Sequence, residues 1–447
     1  MKEGRESSGT KRLILTALVL AIVAFAGWLV WAQKQKRAAL DYAEQSKSLL
    51  TSEAQRALKQ GPRKGRWNVV RTKTATGNLP ADTAEDLRAQ PYLQGYQKAP
   101  EQSGVTLYDP KLAENGLNFC TSGHAPEAYL MDMQGKPVYR WHYEFEQVWP
   151  DVPQTVESGF WRRAHLNPDG SILAIFEGEG LFKLDRDSKL QWVFRDGCHH
   201  EAFVTPDQKI YVLTRKKQNF PNIKSGHDVL VDGIAVLNQG GKLLDEYSIL
   251  ECVQNSSYAS LVTHSESYDL FHANSIYVFD GSLVAKSPLF AKGNVLVSLC
   301  YVDAIAILNP QTRKVIWAEG KSGLWRRQHD ATLTPDGNIL LFDNQGRNGK
   351  SRVLEYDLSK QRIGWEFGKT AELDSQACGI VQLLPNGNRL ITESESGRAL
   401  EVTPDGNIVW EYYNPYRAGD HRELIATLFE VRRFPASFAK WLPANQH

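Results

Sequence analysis

Charge of one sign is missing from this 447-residue chain: 52 Lys and Arg face 51 Asp and Glu, for a formal net charge of +1. That balance gives no electrostatic reason to expect nucleic acid as a partner. Walker loops, Rossmann glycine fingerprints and zinc-finger spacings are also missing, which removes the usual nucleotide- and zinc-module classes. The five cysteines, Cys120, Cys198, Cys252, Cys300 and Cys378, are scattered, odd in number and form no CxxC. No disulfide framework can be read from them, and one pair at most fits. Long apolar runs are absent too, with a single exception.

The exception is LILTALVLAIVAFAGWLVWA, residues 13–32, twenty residues without a charge. That length crosses a bilayer as a helix, with Trp28 and Trp31 at the far interface. A cleaved signal peptide has a shorter apolar region and a small-x-small cleavage site, and Val30-Trp31-Ala32 is a poor one. The segment therefore reads as a retained transmembrane anchor. Lys2, Arg5, Lys11 and Arg12 precede it and Lys34, Lys36 and Arg37 follow, so flanking charge says little about orientation. A short N-terminus before one span leaves residues 1–12 as a cytoplasmic tail. The expectation is a single-pass protein of the cell inner membrane with its bulk on the periplasmic side. Residues 33–62 are rich in Ala, Gln, Lys, Glu and Leu and read as a helical stalk ended by Gly61-Pro62. Residues 63–118 are turn-rich and read as a connecting segment with, at most, a small sheet of its own.

With 42% hydrophobic residues there is ample material for a large core, and from about residue 119 the chain repeats. One half of the unit is a strand ending near Trp: GKPVYRW (135–141), SKLQW (188–192), TRKVIW (312–317), QRIGW (361–365) and GNIVW (406–410). The other is a Pro-Asp-Gly-like turn leading into an apolar strand: NPDGSILAIF (167–176), TPDQKIYVL (205–213), TPDGNILLF (334–342) and LPNGNRLIT (384–392). The Trp residues lie 45–51 apart except across the 125-residue interval from 192 to 317. GGKLLDEYSIL (240–250) fills that interval with Tyr247 in the Trp position. Six copies of about fifty residues, each with four short strands, predict an all-β, six-bladed β-propeller over residues 119–435. A long β-sandwich needs no repeat of this period. ELIATLFEVRRF (423–434) reads as a final strand completing the last blade, and residues 436–447 as a C-terminal tail.

Aligning the copies on their turns brings out a recurring position. His329 lies six residues before Pro335, His200 six before Pro206, and Arg162 occupies the same place in RRAHLNPDG. His272 stands in the matching region of FHANSIYVFDG, Asn274 shares its strand face by the period of two, and Gly379, beside Cys378, fills the place in the last copy. Equivalent positions in successive blades form a ring. Arg162, His200, His272 and His329 are thus expected at one mouth of the central channel. Glu201 and Asp330 follow their histidines directly and turn to the other strand face.

Three readings of the ring stay open on the residues alone. Propeller histidines commonly bond between blades as structure. Three converging imidazoles could hold zinc or iron, although no helical HxxxH spacing assists. Neutral imidazoles can also act as nucleophile and as proton carriers near neutral pH.

QHDATLTPDGNILLFDNQG, FHANSIYVFDG and YLMDMQGKPVYRW resemble the bacterial aryl sulfotransferase family, whose members work without a nucleotide sulfate donor. The resemblance covers roughly residues 119–435, and QHD…PDGNILLFDN is its most specific part. It implies a six-bladed propeller in which His329 takes a sulfuryl group from an aryl sulfate, as a sulfohistidine, and passes it to a phenol. By the same resemblance, His272 and Asn274 contact the oxygens of the transferred group and His200 stands near the phenolic oxygen. No cofactor or resident metal is implied. The family places an arginine in a segment like LVSxR, where this chain has Leu296-Val297-Ser298-Leu299-Cys300. Arg162 or Arg163 from another blade is then the candidate substrate-binding cation. The alternative function is a non-catalytic propeller, tethered as a binding platform for a glycan, lipid or protein.

Overall fold

Each Pro-Asp-Gly turn closes a hairpin in the way its residues demand. At the fifth copy Gly337 donates its N–H to the Thr334 carbonyl and Thr334 donates to Asn338, both at 2.9 Å. Gly337 sits at φ +86°, a conformation that a side chain would strain. The apolar residues on either side then pair as strands, Leu333 opposite Ile339.

These hairpins build six antiparallel blades, five of four strands and one of five, in a computed structural model that describes residues 66–68 and 100–442, apart from 156, 266, 321–322, 369–372, 419–421 and 423. Blade 2 comprises Arg163–Leu166, Ile172–Phe176, Gly180–Leu184 and Leu190–Phe194. Blades 3, 4, 5 and 6 begin with the inner strands Cys198–Val204, Ala273–Val278, His329–Leu333 and Ile380–Leu383. The order within blades 2 to 5 is sequential, and neighbouring inner strands touch, so they line a common axis. The six-bladed propeller expected from the repeat is what the chain forms.

The core lies between blades rather than inside one. Leu173, Ile175 and Leu181 of blade 2 pack with Ile210, Val212 and Leu237 of blade 3. Leu340, Phe342 and Val353 of blade 5 pack with Val381, Ile391 and Leu400 of blade 6. A middle strand such as Ile172–Phe176 is therefore buried at every position, which explains its unbroken apolar run. The repeating Trp staples blade to blade. Trp141, Trp192, Trp365 and Trp410 donate their indole N–H to the carbonyls of Gly170, Gln239, Pro404 and Met133, each in a turn of the next blade, at 2.8–3.0 Å. Tyr247 does the equivalent through its ring, with the Arg313 guanidinium of the next blade 4.5 Å from its centroid.

Ring closure differs from the sequence expectation. Leu428–Phe434 does not complete the last blade; it pairs with Leu117–Ser122 as the inner strand of blade 1, ahead of Glu127–Met131 and Pro137–His142. Gly104–Tyr108, expected to lie in the connecting segment, is instead a fifth, outer strand on blade 6. First and last blades thus exchange strands, which satisfies both edges. Trp67–Asn68 makes a small sheet with Leu424–Ala426 and Arg417–Ala418. The expected tail is packed as well: Ala439 and Leu442 join the core of blades 1 and 2, and Trp441 meets Trp141 edge-on at 5.7 Å.

The expected cytoplasmic tail (1–12), transmembrane anchor (13–32), stalk (33–62) and much of 63–118 lie outside the described residues. Among the described residues no helix is long and apolar enough to cross a membrane.

Candidate active site

The inner strands start irregularly, and that irregularity makes the site. His200, His272, Asp330 and Cys378 all have positive φ, between +50° and +70°. The strand pairing slips between Cys198 and Ala202, between Ala273 and Ser275, and between His329 and Thr332. A bulge of this kind re-aims side chains that a regular strand would send to opposite faces. His199 and His200 consequently meet, with their Nδ1 atoms 3.0 Å apart.

His329 is nearly buried, and its tautomer can be deduced from its neighbours. Nδ1 faces two oxygens, the Arg327 carbonyl at 3.1 Å and Asn344 Oδ1 at 2.8 Å. The amide of Asn344 cannot be reversed, because its Nδ2 donates to the carbonyls of Ser375 at 2.7 Å and Cys378 at 2.5 Å. Nδ1 therefore carries the proton and Nε2 keeps its lone pair, capped by the Cys378 N–H at 3.3 Å. Burial, with help from the Arg162 charge and His272, pushes the His329 pKa down to about 3. At neutral pH it is an uncharged imidazole whose unprotonated Nε2 accepts the Cys378 N–H.

His200 is assigned in the same way. His199 Nε2 faces the Thr214 carbonyl at 3.2 Å and Asp232 Oδ1 at 3.3 Å, so that nitrogen holds the His199 proton. His199 Nδ1 is then an acceptor, and His200 Nδ1 donates toward it and toward Glu177 Oε1 at 3.1 Å. His200 likewise keeps a bare Nε2. Burial holds its pKa well below the usual histidine value. Burial raises the Glu177 carboxyl, but His200 and the Arg162 guanidinium outweigh that effect and hold it well below the ordinary range.

His272 completes the histidine set. Its ring lies 4.9 Å from that of His200, nearly perpendicular, and stacks on Tyr301 at 4.5 Å. Nδ1 donates to Asp269 Oδ2 at 2.6 Å, leaving Nε2 unengaged, and Arg215 sits 3.5 Å from the same carboxylate oxygen.

The other sequence candidates fall in different places. Arg162 reaches Cys378 Sγ at 3.5 Å and Glu177 at 3.6 Å, on the same rim as His329 and His200. Arg163 is held elsewhere: its Nη1 pairs with Glu430 at 2.9 Å and its Nε donates to the His200 carbonyl at 3.1 Å. It supports the mouth from below and is not available to a substrate. Asn274 Nδ2 donates to the Gln328 carbonyl at 2.9 Å, the residue before His329, while its Oδ1 is buried without a partner. The three expected histidines do not gather as metal ligands; among the described residues the group with that spacing is Glu177, His199 and His200.

Glu201 and Asp330 do turn away from the mouth, into a buried cluster with Glu430, Arg163 and Arg432. Asp330 accepts the Val381 N–H at 2.8 Å and Arg432 at 3.0 Å. Three carboxylates against two guanidiniums leave one excess negative charge, and burial pushes Glu201 up to about 7.

Several residues of the site escaped sequence reading: His199, Glu177, Asp269, Asn344, Tyr301 and Arg327. Arg327 is the most informative. Its guanidinium lies 4.5 Å over the Tyr301 ring and reaches the buried Cys300 thiol, where the aryl sulfotransferases usually have an arginine. A cation from the next blade thus lies against the residue that replaced one. The doubled Arg326-Arg327 before Gln328-His329 was the available signal.

A family model described as Arylsulfotransferase (ASST) matches residues 163–415, more than half of the chain. No curated protein matches the sequence. Among solved structures, a protein of unknown function from Bacteroides caccae is 14% identical, with a TM-score of 0.48 over 71% of this chain and 98% of its own. Virginiamycin B lyase from Staphylococcus aureus is 11% identical, with a TM-score of 0.40 over 74% of this chain and 97% of its own. Likenesses this distant assign no activity. The family match, by contrast, spans the inner strands of blades 2 to 6 and every histidine described above. The chain belongs to the arylsulfotransferase (ASST) family.

Proposed function

We propose that this protein transfers a sulfuryl group from an aryl sulfate to a phenol, with His329 as the nucleophile that carries the group between them. The observation supporting this most directly is the locked tautomer of His329, with Nδ1–H on Asn344 and an unprotonated Nε2 that accepts the Cys378 N–H at 3.3 Å. In the donor half-reaction Nε2 attacks sulfur, the N–S bond forms and the S–O(aryl) bond breaks. The phenolate leaves with the electron pair and is protonated by solvent. In the acceptor half-reaction a second phenol loses its proton, attacks sulfur and frees His329.

Asn344 suits this cycle better than a carboxylate would. It orients the ring but adds no negative charge to stabilise a cationic, N-sulfonated imidazole, which therefore remains a good leaving group. His200, with its unprotonated Nε2, takes the acceptor's proton and releases it to solvent. The second N–H of Asn274 donates to a sulfuryl oxygen, and His272, its ring fixed by Asp269, lines the same site. Arg162 and Arg327 supply positive charge for the sulfate. Anchoring by residues 13–32 with the propeller on the periplasmic face of the inner membrane belongs to the same proposal, on the strength of the apolar run alone.

The test is release of p-nitrophenol from p-nitrophenyl sulfate with phenol as acceptor. Wild type is expected to turn over and His329→Ala to be inactive. Equal rates for the two would remove His329 from the chemistry.

A further inference from the structure

Glu177, His199 and His200 bring one carboxylate oxygen and two ring nitrogens within 4.8 Å of one another. Two of the separations are shorter: 3.0 Å between the Nδ1 atoms, and 3.1 Å from His200 Nδ1 to Glu177 Oε1. Metal–ligand bonds of about 2.0–2.1 Å in tetrahedral geometry put neighbouring ligand atoms roughly 3.3 Å apart. We propose that these three residues form a binding site for a divalent transition metal of the zinc class, with one coordination position left open.

A second feature points the same way. The far nitrogen of a ligating imidazole usually donates to a carboxylate or a carbonyl, which fixes the ring and its tautomer. His199 Nε2 has both, Asp232 Oδ1 at 3.3 Å and the Thr214 carbonyl at 3.2 Å, and this directs its Nδ1 lone pair at the proposed ion. Asp232 is fixed in turn by Arg215 and by the Ala273 N–H. On Glu177, Arg162 at 3.6 Å and the His200 N–H at 3.2 Å both approach Oε2. Oε1 remains for the ion. His200 holds φ +54°, a conformation that strains a non-glycine residue, and so sets its ring beside that of its neighbour. Two imidazoles and one carboxylate favour zinc, cobalt, nickel or copper over calcium or magnesium.

The site would also govern His200. A metal on Nδ1 forces the ring proton to Nε2, turning the bare base described above into a hydrogen-bond donor. Bound zinc would then slow transfer to the phenol acceptor; this consequence alone rests on the proposed sulfuryl transfer.

Binding can be read without any activity. The full-length chain is stripped with a chelator and titrated with Co²⁺, followed by its visible d–d bands, and then with Zn²⁺ against a chromophoric chelator. One ion per chain with a four- or five-coordinate cobalt spectrum is expected. His199→Ala should abolish tight binding, Asp232→Asn should weaken Zn²⁺ by about 10–100-fold, and His272→Ala should leave it unchanged. Zn²⁺ should raise the melting temperature of wild type and not of His199→Ala, which checks that the variant folds. Absence of stoichiometric binding, or binding that survives His199→Ala, would overturn the proposal whether or not the protein transfers sulfate.

Discussion

Asn344 Oδ1 lies 2.8 Å from His329 Nδ1 and can only accept there, because both protons of its amide nitrogen are committed to backbone carbonyls. One side chain therefore selects the tautomer, the orientation and the charge of the candidate nucleophile. Asn344→Ala is expected to lower kcat by about 10²–10⁴ while changing KM for the donor little, as loss of an orienting partner does elsewhere. Steady-state kinetics on an aryl sulfate separate the two effects. A rise confined to KM would place Asn344 in substrate binding instead.

Asn344→Asp makes a sharper test of the electrostatics. A carboxylate against Nδ1 favours the protonated ring, so the His329 pKa should climb from about 3 toward the neutral range. In wild type the nucleophile stays neutral through the whole range of pH 5–8. In the variant an acid limb should appear in kcat/KM and move upward. NMR titration of the imidazole provides the direct readout.

In the proposed reaction Arg162 and Arg327 supply positive charge for the sulfate. Replacing either with Ala should raise KM for the donor about 10–100-fold, the loss of one charge-assisted hydrogen bond. Arg163→Ala should act differently, lowering stability through the unpaired Glu430 it leaves behind. Donor kinetics and urea unfolding on the three variants distinguish the roles.

Burial of neutral histidines makes stability depend on pH. The unfolded chain protonates His329 below about 6.5, whereas the folded chain resists until about 3, so the unfolded state binds more protons across that window. The His329 contribution to stability is fully present above pH 6.5 and falls by up to about 1.4 kcal/mol per pH unit as pH drops toward 3. His329→Gln should flatten the slope in urea titrations between pH 7 and 4.

Glu201 has the opposite sign. Its pKa of about 7 means the folded state keeps a proton that the unfolded state gives up above 4.5. Stability should therefore decline between pH 4.5 and 7, by up to about 3 kcal/mol. Glu201→Gln, which keeps the shape without the charge, should remove this decline and be more stable than wild type at pH 8.

The propeller was legible in the sequence because each repeat carries two signals that physics requires everywhere. A turn glycine with φ near +86° closes the hairpin at Gly337, and Trp410 or its equivalents bond the next blade. Closure was misread because Leu428–Phe434 carries no Trp and no turn, so nothing in it says which blade it joins. The ring positions of His200, His272, His329 and Arg162 could be read from register alone. Their partners could not. Asn344 and Asp269 act across a bulge or a loop, and His199 reaches His200 only because positive φ at His200 breaks the alternation on which sequence reasoning depends. Arg163 was misjudged for the same reason, since one residue of register separates the mouth from the charged cluster beneath it.

The most direct measurement is a single turnover. The protein is mixed with an aryl sulfate and no acceptor, quenched under mildly alkaline denaturing conditions, digested and analysed by mass spectrometry. One sulfuryl group on His329, absent after a chase with phenol, is the predicted result. Stoichiometric phenol release with His329 unmodified, or the group found on His200 or His272, would contradict it.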